Sequence, residues 1–149
     1  YMIPKDFANR LRDIGRNLIP RIQRIATVQA LNETQAEMMD RIFKRGESKS
    51  GAKIGRYRSK KHIADRQKKG RQTAFKDYLF TGSLFAAIKK VEYQGSIALA
   101  IVDTPEIAKS RENEKRDKKA VFFLNDKELK IFESEYQAIA IQLLAQQQI

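Results

Sequence analysis

Apolar residues return along the first stretch of the chain at helical intervals. Phe7, Leu11, Ile14 and Leu18 recur in steps of four, three and four, which puts them on one helix face. Pro20 interrupts the run. Inside a helix a proline removes a hydrogen bond and its ring clashes with the preceding turn, whereas a first turn tolerates it. The pattern predicts a break or kink near Pro20 and a second helix from about Arg21 to Lys44. Its apolar positions are Ile22, Ile25, Val28, Leu31, Met38, Met39, Ile42 and Phe43. Gly46 is placed to end it, behind Lys44 and Arg45, cations that suit the negative end of the helix dipole.

From Gly46 to about Thr73 the apolar content collapses. Ile54, Tyr57 and Ile63 stand isolated between charges and glycines, and no period of two or 3.6 survives. Residues 46–73 are expected to form an extended basic loop or arm that cannot bury itself. Order returns at Leu84, Ala86 and Ile88, which alternate with Phe85, Ala87 and Lys89 as in a strand. Gln94-Gly95 is a turn signal, and Ser96 to Val102 is an apolar, β-branched run, so the pair predicts a hairpin. Pro105 stops its second strand. A charge-rich connection follows, with room for a short helix around Glu106, and Ala120 to Leu124 is a third strand candidate. Asn125 and Glu128 have capping-box spacing. They open a last helix through Leu129, Phe132, Tyr136, Ile139 and Leu143. The expected fold is α+β over a single domain, 1–149. It has long N-terminal helical segments, the basic loop, an antiparallel sheet of about three to four strands and a C-terminal helix.

Length supports one domain with its own core, and the chain of 149 residues has no cysteine. One histidine, His62, excludes any centre built on two or three imidazoles. No run of about 18 apolar residues offers a membrane span. The start shows no signal-peptide pattern, and Tyr1-Met2 leaves the true N-terminus open. The net charge of +12 alters the picture most. Between Arg41 and Lys76 lie 14 basic and 2 acidic residues, while the rest of the chain balances, so one quarter of the sequence holds all the net charge. A field so concentrated favours a polyanion or an acidic protein surface.

Enzymatic patterns fail on their own terms. Gly46 and Gly51 suggest a phosphate loop, but Ala52 follows Gly51, Lys53 comes one place late, and Ile54 stands where a hydroxyl should bind magnesium. There is no nucleophile elbow, and His62 sits among cations that disfavour its protonated form. Asp103 with Glu128-Leu129-Lys130 only faintly resembles a metal-dependent nuclease pattern. No cofactor and no metal ligand set is expected. The chemistry left is charge. Lys49, Lys53, Arg56, Arg58, Lys60, Lys61, Arg66, Lys68, Lys69 and Arg71 could contact phosphates, with Tyr57 available for stacking. With no helix-turn-helix, RRM or KH signature, such contact would be to the backbone. A solvated arm, or one that docks on an acidic protein, is the equal alternative.

The stretch from Leu79 to Ile88, LFTGSLFAAI, resembles the virion-morphogenesis and tail-completion proteins of tailed bacteriophages, which act at the head–tail junction. Leu79, Thr81, Gly82, Leu84 and Ile88 match the family pattern, and Ala87 replaces the usual small hydroxyl residue. The chain has none of the loop tryptophan of many relatives, and Lys118-Lys119 stands where they carry proline-arginine. The motif reads as architectural: Gly82 permits a turn and Leu84 then enters the core. The resemblance implies a non-enzymatic neck protein that assembles as a homo-oligomeric ring by heterologous contacts. It would contact neighbouring connector or tail proteins, lie at the virion's head–tail interface, and reside in the host cytoplasm during assembly. The arm would face channel DNA or clasp an acidic neighbour; no membrane is implied. Apolar residues on several faces of two helices (Met38, Met39, Ile42 and Phe43; Ile131 and Ile141) suit either ring contacts or burial within the fold. A nucleic-acid-binding module with a basic arm is the competing class.

Overall fold

The structure, a computed structural model, describes residues 5–79 and 81–146, with side chains from residue 9 onward. The N-terminal part is one uninterrupted helical rod rather than two segments. Helix α1 (Lys5–Asp13) passes through a π turn at Ile14–Leu18 into α2 (Ile19–Met39), and a second π turn, Asp40–Lys44, completes it. At about 1.5 Å per residue the rod is roughly 60 Å long. Pro20 does not break it. The π turn directly before the proline, closed by Ile19 N–H donating to Ile14 O, takes one more residue per turn and relieves the crowding at the ring. Gly46, with φ 63°, ends the rod as expected. A Cβ there would overlap the Phe75 ring and the Lys76 carbonyl, so that position needs glycine for space as well as for angle.

Residues 46–73 are not a free arm. They carry a helix, α3 (Lys60–Lys68), capped by Ser59, whose hydroxyl accepts from the His62 N–H at 3.3 Å. Ile54 is buried in the main core, and Arg66 has no exposed surface. The stretch read as a strand from Leu84 begins instead with a short helix, α4 (Ser83–Ala87). Gly82, φ 87°, makes the turn into it, and Leu84 and Ile88 enter the core. Strands β1 (Ile88–Tyr93) and β2 (Ser96–Ile101) then pair antiparallel, from Ile88 opposite Ile101 to Tyr93 opposite Ser96. Gln94 and Gly95 both have positive φ, as a type I′ turn requires.

Among the described residues the sheet has these two strands, fewer than expected. Residues 120–124 form no third one. Their amides are taken by a side chain: Glu114 Oε1 accepts from the Val121 and Phe122 N–H groups at 2.6 and 2.9 Å. Glu114 lies on α5 (Thr104–Asp117), a longer helix than the short one expected, with Pro105 in its first turn. Lys118 caps it at φ 54°, an angle a proline ring forbids. The capping box is present, with Glu128 N–H donating to Asn125 Oδ1 and Asn125 N–H donating to Glu128 Oε2, both at 2.8 Å. It opens α6 (Asp126–Gln146).

Helix α6 lies along α2, where small residues on the α2 face (Ala26, Ala30 and Thr34, all at 0% exposure) permit close approach. The core collects at the other end of the rod, from Met38, Ile42, Phe43, Ile54, Leu84, Ile88 and Val121. The several-sided apolar end of the rod is thus consumed within the fold. The last helix is not: Ile141 is 67% exposed. On the face drawn through Leu11, Ile14 and Leu18, Leu11 is exposed and the other two are half-buried, and Phe7 lies outside the described side chains.

Candidate functional site

Two buried ion pairs decide which cations remain for a partner. Arg41, 1% exposed, donates from Nε to Glu128 Oε1 at 2.6 Å. Its other nitrogens donate to the carbonyls of Glu47, Val121 and Phe123. One guanidinium therefore binds the rod to the loop, to residues 121–123 and to the cap of α6. Arg66 plays the same part beneath α3, donating to the carbonyls of Gln72 and Leu79 and to Asp77 Oδ2 at 2.9 Å. Asp77, 2% exposed, also accepts from Tyr57 Oη at 2.8 Å and from Gln72 Nε2. Burial pushes the Tyr57 phenol up to about 12, so it stays a donor at any ordinary pH.

Arg66 must therefore be withdrawn from the set expected to meet a polyanion, because its charge is spent within the fold. Tyr57 is turned inward with Arg66 over its ring, 4.5 Å from the centroid. Lys53 is tied to Glu47 and to the Arg45 carbonyl, with its ammonium over the Phe75 ring. Lys44, Arg45 and Lys76 are also ion-paired, Lys76 with Asp117. Lys49, Arg56, Arg58, Lys60, Lys61, Lys68 and Lys69 are exposed, and Arg71 is half-buried.

Part of this set is gathered by the fold, together with cations that the charge count had not singled out. Three surface cavities adjoin through shared walls. The first, about 390 Å³, is lined by Tyr57, Arg58, His62, Tyr78 and Arg116. The second shares Arg58 and Arg116 and adds Arg56, Lys118 and Lys119. The third shares Lys118 and Lys119 and adds Lys49, Asp126 and Lys127, the last ion-paired with Glu37 at 2.8 Å. The result is a continuous cationic face running from the first turn of α3, over the end of α5, to the start of α6. Lys60, Lys61, Lys68, Lys69 and Arg71 lie outside these walls. Arg116, Lys118 and Lys119 were invisible to the charge count because acidic residues of α5 balance them in sequence. In the fold, Glu106 is buried and Glu114 binds backbone amides, leaving the basic end of α5 exposed.

A second feature is an open apolar groove of about 400 Å³ between the hairpin, α2 and the start of α6. Leu99, Phe123, Leu129 and Phe132 are among its walls. Among the described residues no group of three His, Cys, Asp or Glu is placed to hold a metal ion, and no helix is long and apolar enough to cross a membrane. Glu128, half of the faint nuclease pattern, has both carboxylate oxygens engaged by Arg41 and Asn125.

A scan against family models finds no match for this chain, and searches of curated proteins and of solved structures find none either.

Proposed function

We propose that this chain is a non-enzymatic structural protein of the head–tail junction of a tailed phage, assembling as a ring and contacting neighbouring connector or tail proteins. The observation that carries this reading is uncovered surface. The accessible area is 10575 Å², against about 7,800 Å² for a compact monomer of this mass. The difference, roughly 2,800 Å², exceeds the area of about 800 Å² per face that two standard interfaces would each cover. Much of what is uncovered is apolar: Leu11, Ile19, Phe123, Leu129, Ile141 and Leu144 are all more than 40% exposed. Those residues lie on the rod, on α6 and beside the groove, more than one patch, as heterologous ring contacts need. The motif behind the phage resemblance supports the reading by being architectural, since Gly82 turns the chain and Leu84 and Ile88 pack.

Light scattering on the purified protein, with imaging of assembled particles, tests it. The expected result is a closed oligomer present in several copies at one level of the particle. A protein that stays monomeric at high concentration and is missing from particles would overturn it.

One observation favours the second reading, a nucleic-acid-binding module: the cationic face would serve a monomer equally well. That protein would bind DNA tightly as a monomer, with a steep salt dependence.

A further inference from the structure

The first of the three cavities differs from the other two in having aromatic walls. Tyr57, Tyr78 and His62 line it, with Arg58, Arg116 and Lys76 at the same opening. The rings are held in place from behind. Tyr57 has the immobilised Arg66 guanidinium over it and packs against His62 at 5.0 Å. Tyr78 stacks on Phe122 at 5.7 Å, and its hydroxyl donates to Asp117 at 2.6 Å. Both phenols are spent inside the protein, so the two tyrosine rings offer the cavity flat apolar surface. The acids behind the walls are neutralised: Asp77 by Arg66, Asp117 by Lys76. Arg58 and Arg116 are both exposed, Arg116 with its Nε 3.7 Å from Asp117 and one terminal nitrogen donating to Asn113 Oδ1 at 2.6 Å. A cavity of about 390 Å³ is within the range that takes small organic ligands.

Flat apolar walls beneath two arginines fit a ligand that is flat and apolar at one end and anionic at the other. We propose that this cavity is a nucleotide site. An unpaired base enters against the Tyr78 ring, with Tyr57 and His62 among the other walls, and its phosphate is held by Arg58 and Arg116. This deepens the polyanion reading of the cationic face and rests on it. The walls are pre-organised by Arg66 and Phe122, so little ordering opposes binding. Every base has a π face, so the site would be tolerant of sequence. The nucleotide could be free or part of a strand.

The test uses the full chain and a fluorescein-labelled ten-residue thymidine strand, read by anisotropy. Comparators are an abasic strand of the same length, free thymidine monophosphate as competitor, and a polyglutamate peptide as competitor. The thymidine strand should bind about tenfold more tightly than the abasic strand, the gain that one stacked base brings. Arg58→Gln with Arg116→Gln, both at exposed positions of the cationic face, should weaken both strands and lower their salt slopes, and should weaken the thymidine strand by about tenfold more than the abasic one, removing that difference. Competition by the mononucleotide assigns the site to free nucleotides, and its failure to compete assigns it to strands. Equal binding of the two strands would overturn the nucleotide site while leaving the cationic face standing. So would an equal loss for both strands in the double variant, or displacement by polyglutamate as effective as by unlabelled thymidine strand. Loss of all nucleic-acid binding in the unmodified protein would remove the polyanion reading itself.

Discussion

Arg41 and Glu128 meet where the rod, the loop and the last helix converge, and neither reaches solvent. Removing one partner of such a pair leaves a buried charge unmatched, which costs about 3–5 kcal/mol. Arg41→Met should lower unfolding free energy by that amount in urea denaturation, and a loss below about 1 kcal/mol would show that the pair holds nothing together. Other ion pairs act through pH instead. Glu37, Asp40 and Glu106 have lowered carboxyl pKa values, owed chiefly to hydrogen bonds from Lys127, Lys44 and Lys109 respectively. At Asp117 burial pushes upward, but hydrogen bonds from Lys76 and Tyr78 outweigh it and the value falls. A lowered folded-state pKa means that the unfolded chain takes up protons first as pH drops. The stabilisation is complete above the ordinary carboxylate range and is lost as pH falls through that range toward the lowered folded values. Asp117→Asn should flatten part of that acid limb, read as urea midpoints between about pH 6 and pH 3; an unchanged limb would exclude Asp117 as a contributor. Of all this, the Asn125–Glu128 capping box was legible from spacing alone. That Glu128 also neutralises Arg41 was not, because the two are far apart in sequence.

Individual elements were legible where a local rule was unopposed. The end of the rod at Gly46, the hairpin turn at Gln94-Gly95 and the last helix all follow from residue chemistry. Leu84 to Lys89 misled because Leu84 and Ile88 satisfy both a spacing of two and a spacing of four; short apolar runs carry this ambiguity. The segment 46–73 misled for another reason. It has few apolar residues: Ile54 enters the core and Arg41 ties Glu47 to the rod, while residues 57–72 are held by polar bonds from Tyr57, Arg66 and Gln72 to Asp77. Asp77→Ala should therefore release those residues, destabilising the protein by about 3–5 kcal/mol. It should also open bonds after Arg58, Lys60 and Lys61 to trypsin; a variant as resistant as the parent would mean that α3 is anchored elsewhere. On α6, Ile141→Lys with Leu144→Lys changes exposed positions, so monomer stability should move by less than about 0.5 kcal/mol. The same pair should abolish the oligomer seen by light scattering, and an intact oligomer would take α6 out of the ring contacts.

For the whole molecule, charge is the property whose position matters. Lys49, Lys118 and Lys119 come from distant parts of the chain and line adjoining cavities. Changing all three to glutamine should reduce the slope of log K against log salt for duplex DNA by about 2–3, at about 0.9 per phosphate contact. The matched change at Lys60, Lys61 and Lys68, outside those cavities, should alter it less; equal effects would mean that charge acts without regard to place. By itself the sequence determined the α+β class, the helix boundaries set by glycine and the capping box, the hairpin, and the net charge of +12, because each depends on neighbouring residues or on a sum. Only the tertiary structure decided which cations are neutralised inside, which are gathered into one face, and which apolar residues stay uncovered. Those outcomes depend on pairs such as Arg41 with Glu128 and Arg66 with Asp77, whose partners only the folded chain brings within reach.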